Sequence, residues 1–261
     1  MPGSRDRQDD RCGRIRSMAM STDPAALYPD VALEGSLAAA LGAAALKDGF
    51  SVPFTASESD LLRHAAVAST VPQRTILEIT AWVAERRWSI SGCESFQGMA
   101  LIDGTTQDLA QVARAAQAWH DGAALTDISR AASFVHLTGR FEVADHDPVR
   151  LAESEWQHLL TEADEVDWPE YRALVKAAYA EPALRGLYPF TSHWTLRFST
   201  STRPRLTVIP LCLDAHRDSR YTLSASIMGD VLVDTSTVAD AVSTALRHLP
   251  SGLGPVTSGA A

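Results

Sequence analysis

"WSISGCESFQGMALIDGTT", residues 88–106, packs a cysteine, a glutamate and three glycines between two apolar runs. "WSISGC" (88–93) alternates apolar and polar residues, and "MALI" (99–102) is a further short apolar run. Period-two alternation marks a half-buried strand. Upstream, "TILEITAWVA" (75–84) alternates in the same way, setting Leu77, Ile79, Ala81 and Val83 against Glu78, Thr80 and Trp82. Downstream, "TTQDLAQVARAAQAWHDG" (105–122) changes to helical spacing, with Val112, Ala115, Ala116 and Trp119 on one face and Gly122 as the stop. The expected unit is a three-stranded β-meander followed by a helix.

The same order returns in residues 208–252. "ERRWSIS" (85–91) lies over "DSRYTLS" (218–224) at a spacing of 133, and "LIDGTT" (101–106) over "LVDTST" (232–237) at 131. Val112, Ala115 and Trp119 lie over Val242, Ala245 and Leu249 at 130. One reading is an internal duplication; the other is that any two ββα units share this generic pattern. The expected fold class is α+β: two β-meander-plus-helix units flanking a central helical segment. Whether the units share one sheet or form two lobes stays open at this level.

Five segments follow. Residues 1–22 read as a disordered tail by composition, with Met18 or Met20 as a possible true start. Residues 23–122 hold an N-terminal helix, closed by "KDGF" (47–50), a short helix around 61–67, and the first unit. Residues 123–190 form an acidic helical segment, in which Asp147 caps a helix beginning at Pro148, and Asp167 with Glu170 has capping-box spacing. Residues 191–255 hold an extra strand and the second unit; Trp194, Leu196 and Phe198 should face one side of that strand, and His193, Thr195 and Arg197 the other. Residues 256–261 form a second tail.

No apolar run approaches the ~20 residues that span a bilayer, so no membrane partner is expected. Cys12, Cys93 and Cys212 make no disulfide framework and no CxxC pair, which fits a reducing cytoplasm. The net charge is −9, and the tail's five arginines against three aspartates leave the rest of the chain at −11. A body that acidic argues against nucleic acid as a partner. Residues 142–170 concentrate ten acids (Glu142, Asp145, Asp147, Glu153, Glu155, Glu162, Asp164, Glu165, Asp167 and Glu170) around one base, Arg150. That segment is a solvated face, an internal complement to arginines elsewhere, or a docking face for a cationic partner through Glu155, Glu162 and Glu165.

Four residues are the catalytic candidates: His136 and Arg140 in "FVHLTGRFEV" (134–143), and His193 and Arg197 in "TSHWTLRF" (191–198). On a strand, positions i and i+4 share a side, so each pair would suit an anionic ligand, with His as acid or base and Arg as the clamp. The bland reading is edge residues pairing with the acidic helices. Glu155 and His158 have the i, i+3 spacing of helical metal sites, and His146 stands near them, but no second ExxH supports a metal centre. Cys212, Asp214 and His216 share a strand side, yet the ends of that row lie roughly 13 Å apart, too far for direct activation. Cys93 has Arg86 and Arg87 near it in sequence only. Phosphate-loop, dinucleotide and nucleophile-elbow motifs are missing, and no cofactor is expected.

"FVHLTGRFEV", "SEWQHL" (154–159), "DWPEYRALV" (167–175), "AYAEPALRGLYPFTSHWTLRFSTSTRP" (178–204) and "ESFQGMALI" (94–102) resemble an actinobacterial domain-of-unknown-function family labelled natural product biosynthesis protein. The resemblance runs from about Tyr28 to Pro255 and is weakest over 207–238. It implies a cytoplasmic actinobacterial protein encoded beside biosynthetic genes, and it carries over no catalytic residue. The expected function is a non-catalytic accessory or binding protein with a peptide or biosynthetic protein as partner, taken up at a free strand edge. The alternative is an enzyme modifying a peptide- or carrier-linked intermediate through a His/Arg pocket.

Overall fold

The computed structural model describes residues 23–260; the expected N-terminal tail, its start codons and Cys12 lie outside them. The first half runs α1 (Pro24–Leu27), α2 (Pro29–Leu33), α3 (Leu37–Lys47), β1 (Thr55–Ala56), β2 (His64–Val67), β3 (Arg74–Ala81), β4 (Trp88–Glu94), β5 (Ala100–Thr106), α4 (Leu109–His120), α5 (Leu125–Ala131) and β6 (Val135–Leu137). Its six strands form one antiparallel sheet in chain order. Helices α3 and α4 lay Leu37, Leu41, Ala45, Val112, Ala115 and Trp119 against Leu77, Ile79, Trp88 and Ile90, burying the first core.

The second half runs α6 (Pro148–Glu165), α7 (Pro169–Ala180), α8 (Pro182–Arg185), β7 (Tyr188–Ser192), β8 (Thr195–Ser199), β9 (Ser201–Pro204), β10 (Val208–His216), β11 (Arg220–Ser224), β12 (Val231–Thr235), α9 (Val238–His248) and β13 (Thr257–Gly259). Five of its strands form an antiparallel sheet in the order β12-β11-β10-β8-β7, and β13 pairs with β9 in parallel. A separate core sets Trp156, Leu159, Leu174, Val175, Val242 and Ala245 against Leu196, Phe198, Leu211, Leu213 and Leu223. The mixed α+β class is as expected, and the two units occupy two sheets over two cores. Each unit has the order strand, strand, strand, helix; that order follows from the ββα pattern itself and does not establish common ancestry.

Register corrects the sequence alignment. In the first hairpin Gly92 lies opposite Ile102 and Cys93 opposite Ala100, so Leu101 is the extra residue of a β-bulge. In the second, Leu223 lies opposite Val233 and Ser224 opposite Val231, so Leu232 is the extra residue. The loops 94–99 and 225–230 are therefore equal in length, with no deletion in the hairpin. Matching the bulges equates Leu101 with Leu232 and Trp88 with Ser219 rather than Tyr221. A two-residue slip keeps every side chain on its own face, which is why alternation alone could not detect it.

Four local expectations also change. Residues 64–67 form β2, not a helix, since they complete the sheet beside β3. The extra strand is a hairpin of β7 and β8, turning at His193 and Trp194, which both have positive φ (53° and 69°). Trp194 is thus lifted out of the row formed by the buried Leu196 and Phe198. Helix α7 starts on Trp168 without a side-chain cap, so the Asp167 capping box does not form. The last residues supply β13, where Gly259 lies so close to the Thr202 and Arg205 carbonyls that a side chain could not fit.

Candidate functional site

The halves are joined by residues 138–147, a strap from β6 to α6, and most sequence-suggested groups sit on it or beside it. Thr138 donates its N–H to the Leu101 carbonyl and its hydroxyl to the Ala100 carbonyl (2.7 Å). Its own carbonyl meets His158 Nδ1 at 2.7 Å. Gly139 (φ 86°) packs against α6, where an added Cβ would collide with Thr161 and lie 2.7 Å from the Gln157 carbonyl oxygen. Arg140 donates from Nε and Nη2 to both oxygens of Glu155, and from Nη1 to the Ala100 carbonyl. Ser154 exchanges hydrogen bonds with the Phe141 backbone. Glu142 reaches back to Arg74, whose side chain is 1% exposed and also donates to the Ala123 carbonyl.

His136 closes the same seam on the open face of the first sheet. Its Nε2 meets Glu165, at the end of α6, at 2.6 Å, and its Nδ1 meets Asp103 on β5 at 3.3 Å. The hydrogen bond to Glu165, with the added charge of Asp103, raises its pKa above the ordinary histidine value. The expectation that His136 and Arg140 share a strand side fails, because β6 ends at Leu137 and Gly139 turns the chain. They engage different carboxylates.

The second His/Arg pair is separated too. His193 sits in the strained turn beside the Ser192 hydroxyl, whereas Arg197 lies over the Phe190 ring, 5.2 Å from its centre. Cys212 faces Arg197 across β10 and β8, but burial pushes its thiol pKa up, the reverse of what a nucleophile needs. On the same face Asp214 accepts from the Thr195 hydroxyl and His216 Nε2 meets the Thr222 hydroxyl at 2.9 Å. The metal candidates have other partners: Glu155 has Arg140, His158 has Thr138, and His146 stacks on Phe96 at 4.3 Å. Among the described residues no group of three or more His, Cys, Asp or Glu is placed to hold a metal ion, and no helix is long and apolar enough to cross a membrane.

Much of the acidic face is paired within the chain, although only Glu155 is buried. Glu155 is buried, Glu165 holds His136, Glu162 accepts from Tyr171, Glu153 accepts from Tyr179, and Asp164 binds Lys176. Burial of Glu155 corrects its place in an exposed docking face, since a group below the surface cannot meet a partner. In the 94–99 loop, Glu94 accepts backbone N–H bonds from Phe96, Gln97 and Met99 (2.8, 2.6 and 3.1 Å). It is therefore a loop organiser, and that loop presents Phe96 to His146 of the strap.

One edge strand of the second sheet is β12. Residues 150–260 match the model of a family of unknown function (DUF6193). The matched stretch takes in the second sheet, its helices and nearly all of α6, while the resemblance read from sequence reached back to Tyr28. Neither a curated protein nor a solved structure matches the chain. Within the matched stretch β12 bonds as a strand to β11 alone among the described residues, and Val231 and Leu232 are 57% and 52% exposed. No sequence signal marked this edge, because openness depends on which distant strand does or does not arrive.

Proposed function

We propose that the chain is a non-catalytic accessory protein that binds a peptide or partner protein in the cytoplasm of an actinobacterium, within a natural-product biosynthetic system. The observation that supports it is the use of Arg140, His136 and Glu155 as fasteners between the halves. A general acid–base group must be free to reach substrate, and these are committed to partners in the fold. The enzyme alternative needs His136, Arg140, His193 and Arg197 in one pocket, whereas each is held by different neighbours.

The test is genetic. A strain lacking the gene should lose product, and copies carrying His136→Gln or His193→Gln should restore it fully if they fold, as judged by circular dichroism. Loss of product with either folded variant would favour the enzyme.

A further inference from the structure

The two hairpins share a bulge, but their outer edges differ. In the first half β6 covers β5, with Leu137 opposite Ile102, His136 opposite Asp103 and Val135 opposite Gly104. Matching the bulges puts Val233, Asp234 and Thr235 in the places of Ile102, Asp103 and Gly104. The pairing on the other side agrees: Ser91 faces Asp103, and Thr222 faces Asp234. The second half has no strand in the place of β6 among its described residues.

The difference extends along the strand. Leu101 is fully buried, and the strap takes up the carbonyls of Ala100 and Leu101 through Thr138 and Arg140. Their counterparts Val231 and Leu232 are more than half exposed, and Met228 beside them is fully exposed. An edge carrying apolar side chains and unpaired backbone groups is a template for another strand. The chain thus contains both an occupied and an empty version of one edge.

We infer that β12 docks an extended segment of a partner protein that lies antiparallel to it, as β6 lies on β5, with a basic residue opposite Asp234 between two apolar residues. The occupied edge supplies the pattern, since Val135-His136-Leu137 places a base against Asp103 at 3.3 Å. Charge argues against a second copy as occupant: residues 229–237 carry Asp230 and Asp234 and no base. Like charges facing across strands repel. Asp234 is shared with Arg220 at 3.2 Å, so the incoming base would compete for a half-neutralised carboxylate. This inference rests on reading the chain as a binding protein and names what it binds.

Two fluorescein-labelled peptides spanning residues 133–141 serve as probes, one carrying His136→Lys and the other His136→Glu, titrated against the full chain by polarisation. The Lys peptide should bind roughly tenfold more tightly than the Glu peptide and protect the amides of Val231–Thr235 from hydrogen exchange. Asp234→Lys in the protein should invert that preference, and Asp234→Asn should level it. Protection of β5 instead of β12, or a preference indifferent to both variants, overturns the inference. A dimer in sedimentation equilibrium with β12 already protected also overturns it, because a second copy would then hold the edge. So does protection of β12 that disappears in the full chain carrying Arg14→Glu and Arg16→Glu, since the N-terminal segment would then be the occupant. Failure here with product restored by the histidine variants would remove the docking edge and leave the accessory reading standing.

Discussion

Arg140 and Glu155 form a two-point ion pair across the seam between the halves, Nε–Oε2 at 2.7 Å and Nη2–Oε1 at 2.9 Å, with side chains 8% and 5% exposed. Removing one partner leaves a buried charge uncompensated. Glu155→Ala should destabilise the fold by about 3–5 kcal/mol, measured by urea unfolding. The double change Arg140→Met, Glu155→Leu should cost much less, because it removes both desolvated charges. Equal losses for the single and the double variant would mean that packing, and not charge, holds this seam.

His136 should make stability depend on pH. Its folded pKa is raised above 6.5 by Glu165 and Asp103, the two charged groups that face it. A raised histidine contributes stability that is fully present below its unfolded pKa and is lost as pH rises through the folded one. Its half-exposed side chain keeps the contribution small. The melting temperature should therefore fall from pH 6 to pH 8 by more in the wild type than in His136→Gln. Identical slopes would refute the clasp.

Glu94 organises its loop by accepting three backbone N–H groups while being nearly buried. Glu94→Ala should cost about 2–3 kcal/mol and speed exchange of the Phe96, Gln97 and Met99 amides. Glu94→Gln should retain part of the order, because its carbonyl still accepts. Unchanged exchange at those three amides would show that the turn holds itself.

The two described cysteines should differ in reactivity. Burial raises the Cys212 thiol, whereas Cys93 lies half-exposed on the open face of the first sheet. Brief iodoacetamide treatment at pH 8 followed by peptide mapping should label Cys93 and spare Cys212 until the protein unfolds. Comparable labelling of both in the native state would contradict the packing around β10.

Much of the local structure was legible in the residues. Asp147 caps α6, accepting from the Arg150 N–H at 2.9 Å, and Pro148 opens the helix. The alternation of Leu77, Ile79 and Ala81 against Glu78 and Thr80 is that of β3. The site was less legible. His136 and Arg140 stand out in the sequence, but the carboxylates that engage them, Glu165 and Glu155, lie on α6, beyond a turn that Gly139 imposes.

The sequence by itself determined the Asp147 cap of α6, the apolar face of α4 and the alternation of β3 and β4, because these depend on neighbours two to four residues away. Tertiary structure alone decided that Glu155 would be buried against Arg140, and that Trp88 would correspond to Ser219 rather than Tyr221. It also decided that β5 would be covered while β12 stayed an edge among the described residues. Each of these depends on register between segments distant in the chain, and a two-residue slip in register leaves the local pattern unchanged.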